Sequence, residues 1–190
     1  HKGAMQTGWL LYNGKYYYLN QNGTMQVGWA TVDKKRYYLG EDGIMQTGWK
    51  LIQGNYYYFA IDGSMQTGWF LDGKNWYYLK EDGAMATGFT KVDGVTYYLD
   101  ASGAMQVGWQ VIGDKHYYFT ADGAMQTGWL NYNNQRYYLD EHGVMQTEWA
   151  QLGKDWYYFG ESGTMRKGFI SVEGETYYLD ANGVMQTGYQ

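Results

Sequence analysis

Tryptophan and tyrosine are the residues of this chain whose number and spacing could do chemistry. Nine tryptophans and 23 tyrosines occur among 190 residues, in columns with a 20-residue period. The first aromatic column comprises Trp9, Trp29, Trp49, Trp69, Phe89, Trp109, Trp129, Trp149, Phe169 and Tyr189. The variable column lies seven residues later and comprises Tyr16, Arg36, Tyr56, Trp76, Thr96, His116, Arg136, Trp156 and Thr176. A tyrosine pair follows it in every copy, from Tyr17-Tyr18 to Tyr177-Tyr178.

Aromatic rings that surround a gap form what we call an aromatic cage. Such a cage attracts a quaternary ammonium through the ring quadrupoles, with about 0.5–2 kcal/mol per good contact. The same walls can stack on sugar rings, and the tryptophans could instead form only the core. Because side chains alternate along a strand, the first aromatic column and the variable column are expected on the same face of a hairpin.

A strict repeat must position these residues. The ten methionines stand at positions 5, 25, 45, 65, 85, 105, 125, 145, 165 and 185. This spacing predicts one structural unit copied about nine and a half times, in a single array over residues 1–190. Met packs irregular gaps well, so we expect the methionine column to form hydrophobic core between units. Both chain ends suggest a fragment of a larger protein.

Each unit is predicted to be a β-hairpin. In residues 63–83 two short aromatic segments, 69–71 and 75–79, flank a turn through Asp72-Gly73-Lys74. Pairs such as Asn13-Gly14 and Glu173-Gly174 supply the same turn chemistry in other units. A lone hairpin is marginal in water, so the units must stack. The sequence therefore predicts an all-β solenoid of stacked hairpins.

The composition and charge exclude several classes of function. A net charge of −5 argues against nucleic acid, and there is no cysteine for a disulfide or thiolate metal site. No apolar run reaches the roughly 18 residues of a membrane span, so membrane insertion is not expected. His116 and His142 have no spacing that suggests a catalytic set, and the turn carboxylates lack a calcium-loop pattern. We expect no enzyme activity, no cofactor and no metal.

The repeat resembles a known family. The segments DGSMQTGW, GKNWYYLKEDGAM and GKDWYYFGESGTM are similar to cell-wall-binding, or choline-binding, repeats of Gram-positive surface proteins and phage lysins. Related repeats occur in glucosyltransferases and clostridial toxins. The resemblance implies a left-handed solenoid on a secreted protein at the bacterial surface. It also implies choline held between two aromatics of one hairpin and a tyrosine of the next, often with a methionine nearby.

Matched position by position, the resemblance implies four cages in this chain. They are Trp69, Trp76 and Tyr97; Trp149, Trp156 and Tyr177; Trp49, Tyr56 and Tyr77; and Trp9, Tyr16 and Tyr37. Arg36 and Arg136 depart from the pattern, because a guanidinium is unfavourable in a cation cage. His116 makes a doubtful wall for the same reason, and Thr96 and Thr176 supply no second wall.

Three hypotheses for the function follow. The first is a non-catalytic module that anchors a secreted protein to choline-bearing teichoic acid through several weak sites. The alternative is a repeat domain that binds an α-glucan or host glycan, since arginine, histidine and threonine would suit a polyhydroxylated sugar. A third is self-association through exposed aromatics.

Overall fold

The computed structural model describes residues 5–188, and these contain nineteen β-strands and no helix. Tyr189, the last member of the first aromatic column, lies outside this range. The strands are β1 Gly8–Tyr12, β2 Lys15–Leu19, β3 Gly28–Val32, β4 Lys35–Leu39, β5 Gly48–Ile52, β6 Asn55–Phe59, β7 Gly68–Asp72, β8 Asn75–Leu79, β9 Gly88–Val92, β10 Val95–Leu99, β11 Gly108–Ile112, β12 Lys115–Phe119, β13 Gly128–Tyr132, β14 Gln135–Leu139, β15 Glu148–Leu152, β16 Asp155–Phe159, β17 Gly168–Val172, β18 Glu175–Leu179 and β19 Met185–Gln186.

The prediction of an all-β fold with one hairpin per repeat is confirmed for the described part of the chain. The chain divides into two compact units. The first comprises His1–Thr90 and Leu99–Met105, and the second comprises Lys91–Tyr98 and Gln106–Gln190. No helix in the described residues is long and apolar enough to cross a membrane.

Each hairpin has a tight two-residue turn. In the first hairpin, β1 and β2 pair antiparallel from Gly8↔Leu19 to Tyr12↔Lys15, which leaves Asn13 and Gly14 as the turn. Both turn residues have positive φ, 48° and 73°, as a type I′ hairpin turn requires. In the fourth hairpin the turn is one residue shorter than predicted. Asp72 pairs with Asn75 at the end of β7, so the turn is Gly73–Lys74 alone.

The core of each unit is formed by residues that were not predicted from the sequence. One fully buried leucine or phenylalanine follows each tyrosine pair from the second hairpin onward, and we call this set the buried column. Its members are Leu39, Phe59, Leu79, Leu99, Phe119, Leu139, Phe159 and Leu179, each 0% exposed.

The prediction that the methionines form this core is wrong. None of the described methionines is buried, and Met5 and Met25 are 65% and 43% exposed. They do pack between repeats, as predicted. A Cβ at Gly63 would collide with the Sδ of Met45, so the missing side chain makes room for the thioether. Leucine and phenylalanine fill the closed interior, while the flexible methionine covers a glycine at its edge.

Backbone hydrogen bonds hold successive hairpins together within each unit. The N–H of Met45 donates to the carbonyl oxygen of Tyr16 in β2 at 2.8 Å, and the N–H of Gln46 donates to that of Tyr38 in β4 at 2.8 Å. The bond from methionine to the variable column recurs along the chain. The other pairs are Met65–Arg36, Met85–Tyr56, Met105–Trp76, Met125–Thr96, Met145–His116 and Met165–Arg136.

Candidate functional site

The hairpin register sets the aromatic residues on one face. Trp9 pairs with Tyr18 and Leu11 pairs with Tyr16, so Trp9, Tyr16 and Tyr18 lie on the same side of the hairpin. This agrees with the predicted alignment of the first aromatic column and the variable column. The rings of Trp9 and Tyr18 meet edge to face, with centroids 5.1 Å apart. This cross-strand contact fixes the tryptophan side chain.

In several hairpins the other tyrosine of the pair reaches the tryptophan of the preceding hairpin. The ring of Tyr37 lies 4.8 Å from that of Trp9, at an interplanar angle of 67°. The same contact occurs at 5.0 Å between Trp49 and Tyr77. Two successive tyrosines therefore contact the tryptophans of two different hairpins, as the alternation of side chains predicts.

The structure brings the predicted cage of Trp9, Tyr16 and Tyr37 together. These three rings line a cavity of about 390 Å³, which we call the Trp9 cavity. Tyr16 is 47% exposed, so the cavity is open to a ligand from solvent. Met45, Ile61 and Asp62 complete the lining. The sequence analysis missed Ile61 and Asp62, because they come from the turn after the third hairpin, far from Tyr16 along the chain.

Asp62 gives the Trp9 cavity a negative wall. The Ser64 hydroxyl donates to Oδ1 of Asp62 at 2.5 Å, and the Ser64 backbone N–H donates to it at 2.9 Å. These bonds, together with one from Lys35, lower the pKa of the Asp62 carboxyl to about 2. Asp62 is therefore ionised at neutral pH, and its charge adds to the attraction of the rings for a cation.

The cage predicted from Trp149, Trp156 and Tyr177 is also assembled. The ring of Trp149 lies 6.5 Å from that of Trp156 and 4.8 Å from that of Tyr177. Trp156 is 40% exposed. Glu173 and Glu175 line an adjoining depression beside Trp149 and Tyr177, and they make its surroundings acidic.

In the cage predicted from Trp49, Tyr56 and Tyr77, the structure joins Trp49 to Tyr77 at 5.0 Å. Tyr56 is 47% exposed, and its position as the second wall stays a prediction. The Nε1–H of Trp49 donates to Oδ2 of Asp72 at 2.9 Å, which orients the indole. Phe70 packs against the Trp49 ring at 5.9 Å.

In the remaining predicted cage, of Trp69, Trp76 and Tyr97, the two tryptophans belong to the first unit. Trp76 is 43% exposed, and its carbonyl accepts the Met105 N–H at 2.8 Å. This cage stays a prediction.

Two tryptophans already carry a cation from the chain itself. The guanidinium carbon of Arg36 lies 4.3 Å from the centroid of Trp29, and that of Arg136 lies 4.1 Å from Trp129. A guanidinium at this position was expected to keep choline out of the cage, and that stays a prediction. The rings attract the guanidinium as they would attract a ligand cation. These faces are covered by an internal cation.

The hairpins whose residue in the variable column is not aromatic or arginine form less complete cages. Trp109 and Tyr137 meet at 5.0 Å, with His116 in the variable column. Phe169, whose partner in that column is Thr176, is 71% exposed. Among residues 5–188 no three histidine or carboxylate side chains are grouped so that they could hold a metal ion.

Two families of repeats match this chain. The family described as "Choline-binding repeat" matches residues 46–88, 106–149 and 146–189. The family described as "Putative cell wall binding repeat" matches residues 7–25, 27–45 and 87–105. A comparison with curated proteins gave no match.

Several solved structures from Streptococcus pneumoniae are similar. CbpJ of strain TIGR4 is 34% identical, with a TM-score of 0.81 over 97% of this chain and 82% of that one. Choline binding protein F, solved in the presence of a peptidoglycan analogue (tetrasaccharide-pentapeptide), is 29% identical, with a TM-score of 0.71 over 95% and 86% of the two chains. The choline-binding domain of CbpL is 29% identical, with a TM-score of 0.70 over 97% and 100%.

Proposed function

Because this chain belongs to the choline-binding repeat family, we propose that it is a non-catalytic module that binds choline groups of a cell-wall polymer at several aromatic cages. We further propose that the polymer is a choline-bearing teichoic acid and that the module works outside the cell, at the surface of a Gram-positive bacterium. The sites are the Trp9 cavity and the cages of Trp49, Trp69 and Trp149.

The observation that best supports a cationic ligand is the position of the two arginines. Arg36 and Arg136 lie over the faces of Trp29 and Trp129 at just over 4 Å. At the same position of the repeat the first hairpin has Tyr16, and the space beside the Trp9 ring is the open Trp9 cavity. The tryptophan face thus holds a positive group wherever the chain provides one, and we assign the gap to a quaternary ammonium.

Affinity comes from the number of cages. A single cage of two or three rings binds an ammonium weakly, but linked sites on one polymer raise the effective concentration of each later contact. Overall binding can then exceed that of one site by about 10²–10⁴. Repeats closed by arginine reduce this number without disturbing the stack of hairpins.

The test is a choline titration followed by tryptophan fluorescence and thermal unfolding. We expect a saturable change in fluorescence and a rising Tm, since choline at about 100 times its Kd stabilises the folded state by about 2.7 kcal/mol per site. Sodium chloride at equal ionic strength is the control. No response to choline on the order of tens of millimolar would rule choline out as the ligand.

A wall glycan is the second candidate, and one region favours it. The exposed ring of Phe169, together with Arg166, Lys167 and Ser162, lines an open depression of about 650 Å³. Such an aromatic platform with polar neighbours could stack on a sugar and hydrogen-bond its hydroxyls. Binding of a soluble peptidoglycan fragment that Phe169→Ala abolishes and choline does not displace would support this candidate.

A further inference from the structure

One side of the fourth hairpin faces Trp49 of the third. Phe70 pairs with Tyr77, and Asp72 lies two residues after Phe70 on the same strand, so the three side chains lie on one side of the hairpin. The ring centroids of Phe70 and Tyr77 lie 5.9 Å and 5.0 Å from that of Trp49. The Oδ2 of Asp72 accepts the Nε1–H of Trp49 at 2.9 Å. Three neighbouring side chains therefore hold this tryptophan.

Asp72 is an exception at its position of the repeat, which is the last residue of the first strand. In the other hairpins this residue is apolar or tyrosine: Tyr12, Val32, Ile52, Val92, Ile112, Tyr132, Leu152 and Val172. Ile52 and Val92, in the neighbouring hairpins, are buried, whereas Asp72 is exposed. The fourth hairpin thus has a carboxylate beside Trp49 where its neighbours bury an apolar side chain.

The same position contacts the preceding tryptophan in another part of the chain. The ring of Tyr132 lies 6.2 Å from that of Trp109, the same 23 residues apart as Asp72 and Trp49. At the Trp9 cage the matching residue is Val32, whose side chain has no hydrogen-bond acceptor. The position is therefore suited to act on the tryptophan, and an aspartate there adds a hydrogen bond and a charge.

We propose that Asp72 is a positioning and specificity-determining residue of the cage of Trp49, Tyr56 and Tyr77. Its carboxylate fixes the indole through the Nε1–H and makes this cage favour a cation over an uncharged ligand. This inference rests on the proposed function, because the cation is the quaternary ammonium of choline.

Two effects of the carboxylate act in the same direction. A hydrogen bond to an ionised acceptor is about twice as strong as a neutral one, and it restricts the indole before the ligand arrives. Less freedom is then lost on binding, whatever the charge of the ligand. The negative charge at the edge of the ring also attracts an ammonium that binds to its face. An uncharged ligand gains from the first effect alone.

The test uses the intact chain labelled with ¹³C at the methionine methyl groups, and two ligands of the same shape. These are choline and 3,3-dimethylbutanol, in which a carbon atom replaces the quaternary nitrogen. The readout is the methyl signal of Met85, because Met85 donates its N–H to the carbonyl oxygen of Tyr56 at 2.8 Å. Met45 lines the Trp9 cavity and reports an unmodified cage in the same titration.

Two variants separate the charge from the hydrogen bond. Asp72→Asn keeps an acceptor and removes the charge, so choline should bind about two- to three-fold more weakly at Met85 and dimethylbutanol as before. Asp72→Val removes both, so choline should bind about ten-fold more weakly and dimethylbutanol about three-fold. The Met45 titrations should not change in either variant.

The matched control is Asp33→Asn. It removes the same charge from the exposed turn of the second hairpin, and both titrations at Met85 should stay as in the unmodified chain. Asp72→Val should not lower the Tm, because valine is a common residue at this position of the repeat. A weaker cage in a protein of unchanged Tm therefore reports the contact to Trp49 rather than a loss of folding.

The remaining outcomes separate this inference from the proposed function. If choline and dimethylbutanol weaken equally in Asp72→Asn, the carboxylate does not select a cation and the proposal is overturned. If both variants bind choline at Met85 as the unmodified chain does, Asp72 does not position Trp49 for binding and the choline cage stands. If choline moves no methionine methyl in the unmodified chain, both the inference and the proposed function are wrong.

Discussion

The guanidinium groups of Arg36 and Arg136 lie over tryptophan rings, whereas Tyr16 leaves an open cavity beside Trp9. These residues occupy the same position of the repeat, on the same face of their hairpins. A ring face attracts a cation whatever its source, so under the proposed function the chain's own guanidinium competes with a ligand ammonium. We therefore propose that the variable column decides, repeat by repeat, which tryptophans can bind a ligand.

Replacing Arg36 with tyrosine should open a new site. Arg36→Tyr removes the internal cation and supplies the side chain found at Tyr16 and Tyr56. We expect calorimetry to give about one additional choline per chain, with a choline-dependent shift of the Met65 methyl. Arg36→Lys keeps a positive charge and is the control that should gain nothing. A folded Arg36→Tyr variant with unchanged stoichiometry would contradict the competition between guanidinium and ligand.

Removing a wall should weaken a cage by a predictable amount. Trp156→Ala takes away the ring 6.5 Å from Trp149 and should reduce choline affinity at that cage by about 2- to 30-fold, as loss of one cation–π contact implies. The readout is the Met185 methyl, because β19 contacts β16. Thr176→Ala changes the same column one repeat later and should have no effect. Equal loss in both variants would argue against the cage.

At the scale of the hairpin, the turn and the register hold the aromatic face in place. The two-residue turn after Tyr12 fixes Trp9 opposite Tyr18, so a slip of one residue would carry the tryptophan to the other face. From the second hairpin onward, the buried column then anchors the end of the second strand. Leu79 is fully buried, while Leu71 on the partner strand is 49% exposed.

These two leucines give a matched pair of substitutions. Leu79→Ala should lower the free energy of unfolding by about 2–5 kcal/mol, because it leaves a cavity in the buried column. Leu71→Ala should cost much less, since its side chain is already half in water. Chemical denaturation of both variants checks this. Similar losses would show that the buried column is not the centre of stability.

Glu148 is a local exception in the repeat. It has φ of 62° at a position where Gly128 and Gly168 have φ of 74° and 75°. A left-handed conformation costs a residue with a Cβ about 1–2 kcal/mol. Glycine avoids this cost, but its greater flexibility in the unfolded chain offsets part of the gain in stability. Glu148→Gly should therefore raise the free energy of unfolding by about 0.5–1 kcal/mol, measured by thermal or chemical unfolding. Gly128→Ala, which meets no neighbouring atom there, should lower it.

The sequence predicted the hairpins well because the turn pairs and the aromatic strands are local signals. It placed the core wrongly, because regular spacing does not show which apolar residue is enclosed. The methionines are the most regular residues, yet Leu39 and its equivalents are buried. Likewise Asp62 lines the same cavity as Trp9 because the hairpins stack. No short-range pattern links residues so far apart along the chain.

For the whole chain, the proposed function depends on how many cages are open. The described residues include one lined cavity, at Trp9, and a second assembled set of rings, at Trp149. Repeats closed by Arg36 and Arg136 are interspersed among them. We expect a polymer with many choline groups to bind far more tightly than free choline, because each bound group holds the next one near its cage.

The regular methionines allow the most direct test of this account. One methyl signal per repeat can be followed while choline is added to the intact chain. We predict shifts at Met45, Met85, Met105 and Met185, which accompany the four proposed cages, and none at Met65 or Met165, whose amides bond the carbonyls of Arg36 and Arg136. Equal shifts at Met65 and Met45, or no shift at any methionine with choline on the order of tens of millimolar, would contradict the proposal that open aromatic cages bind choline.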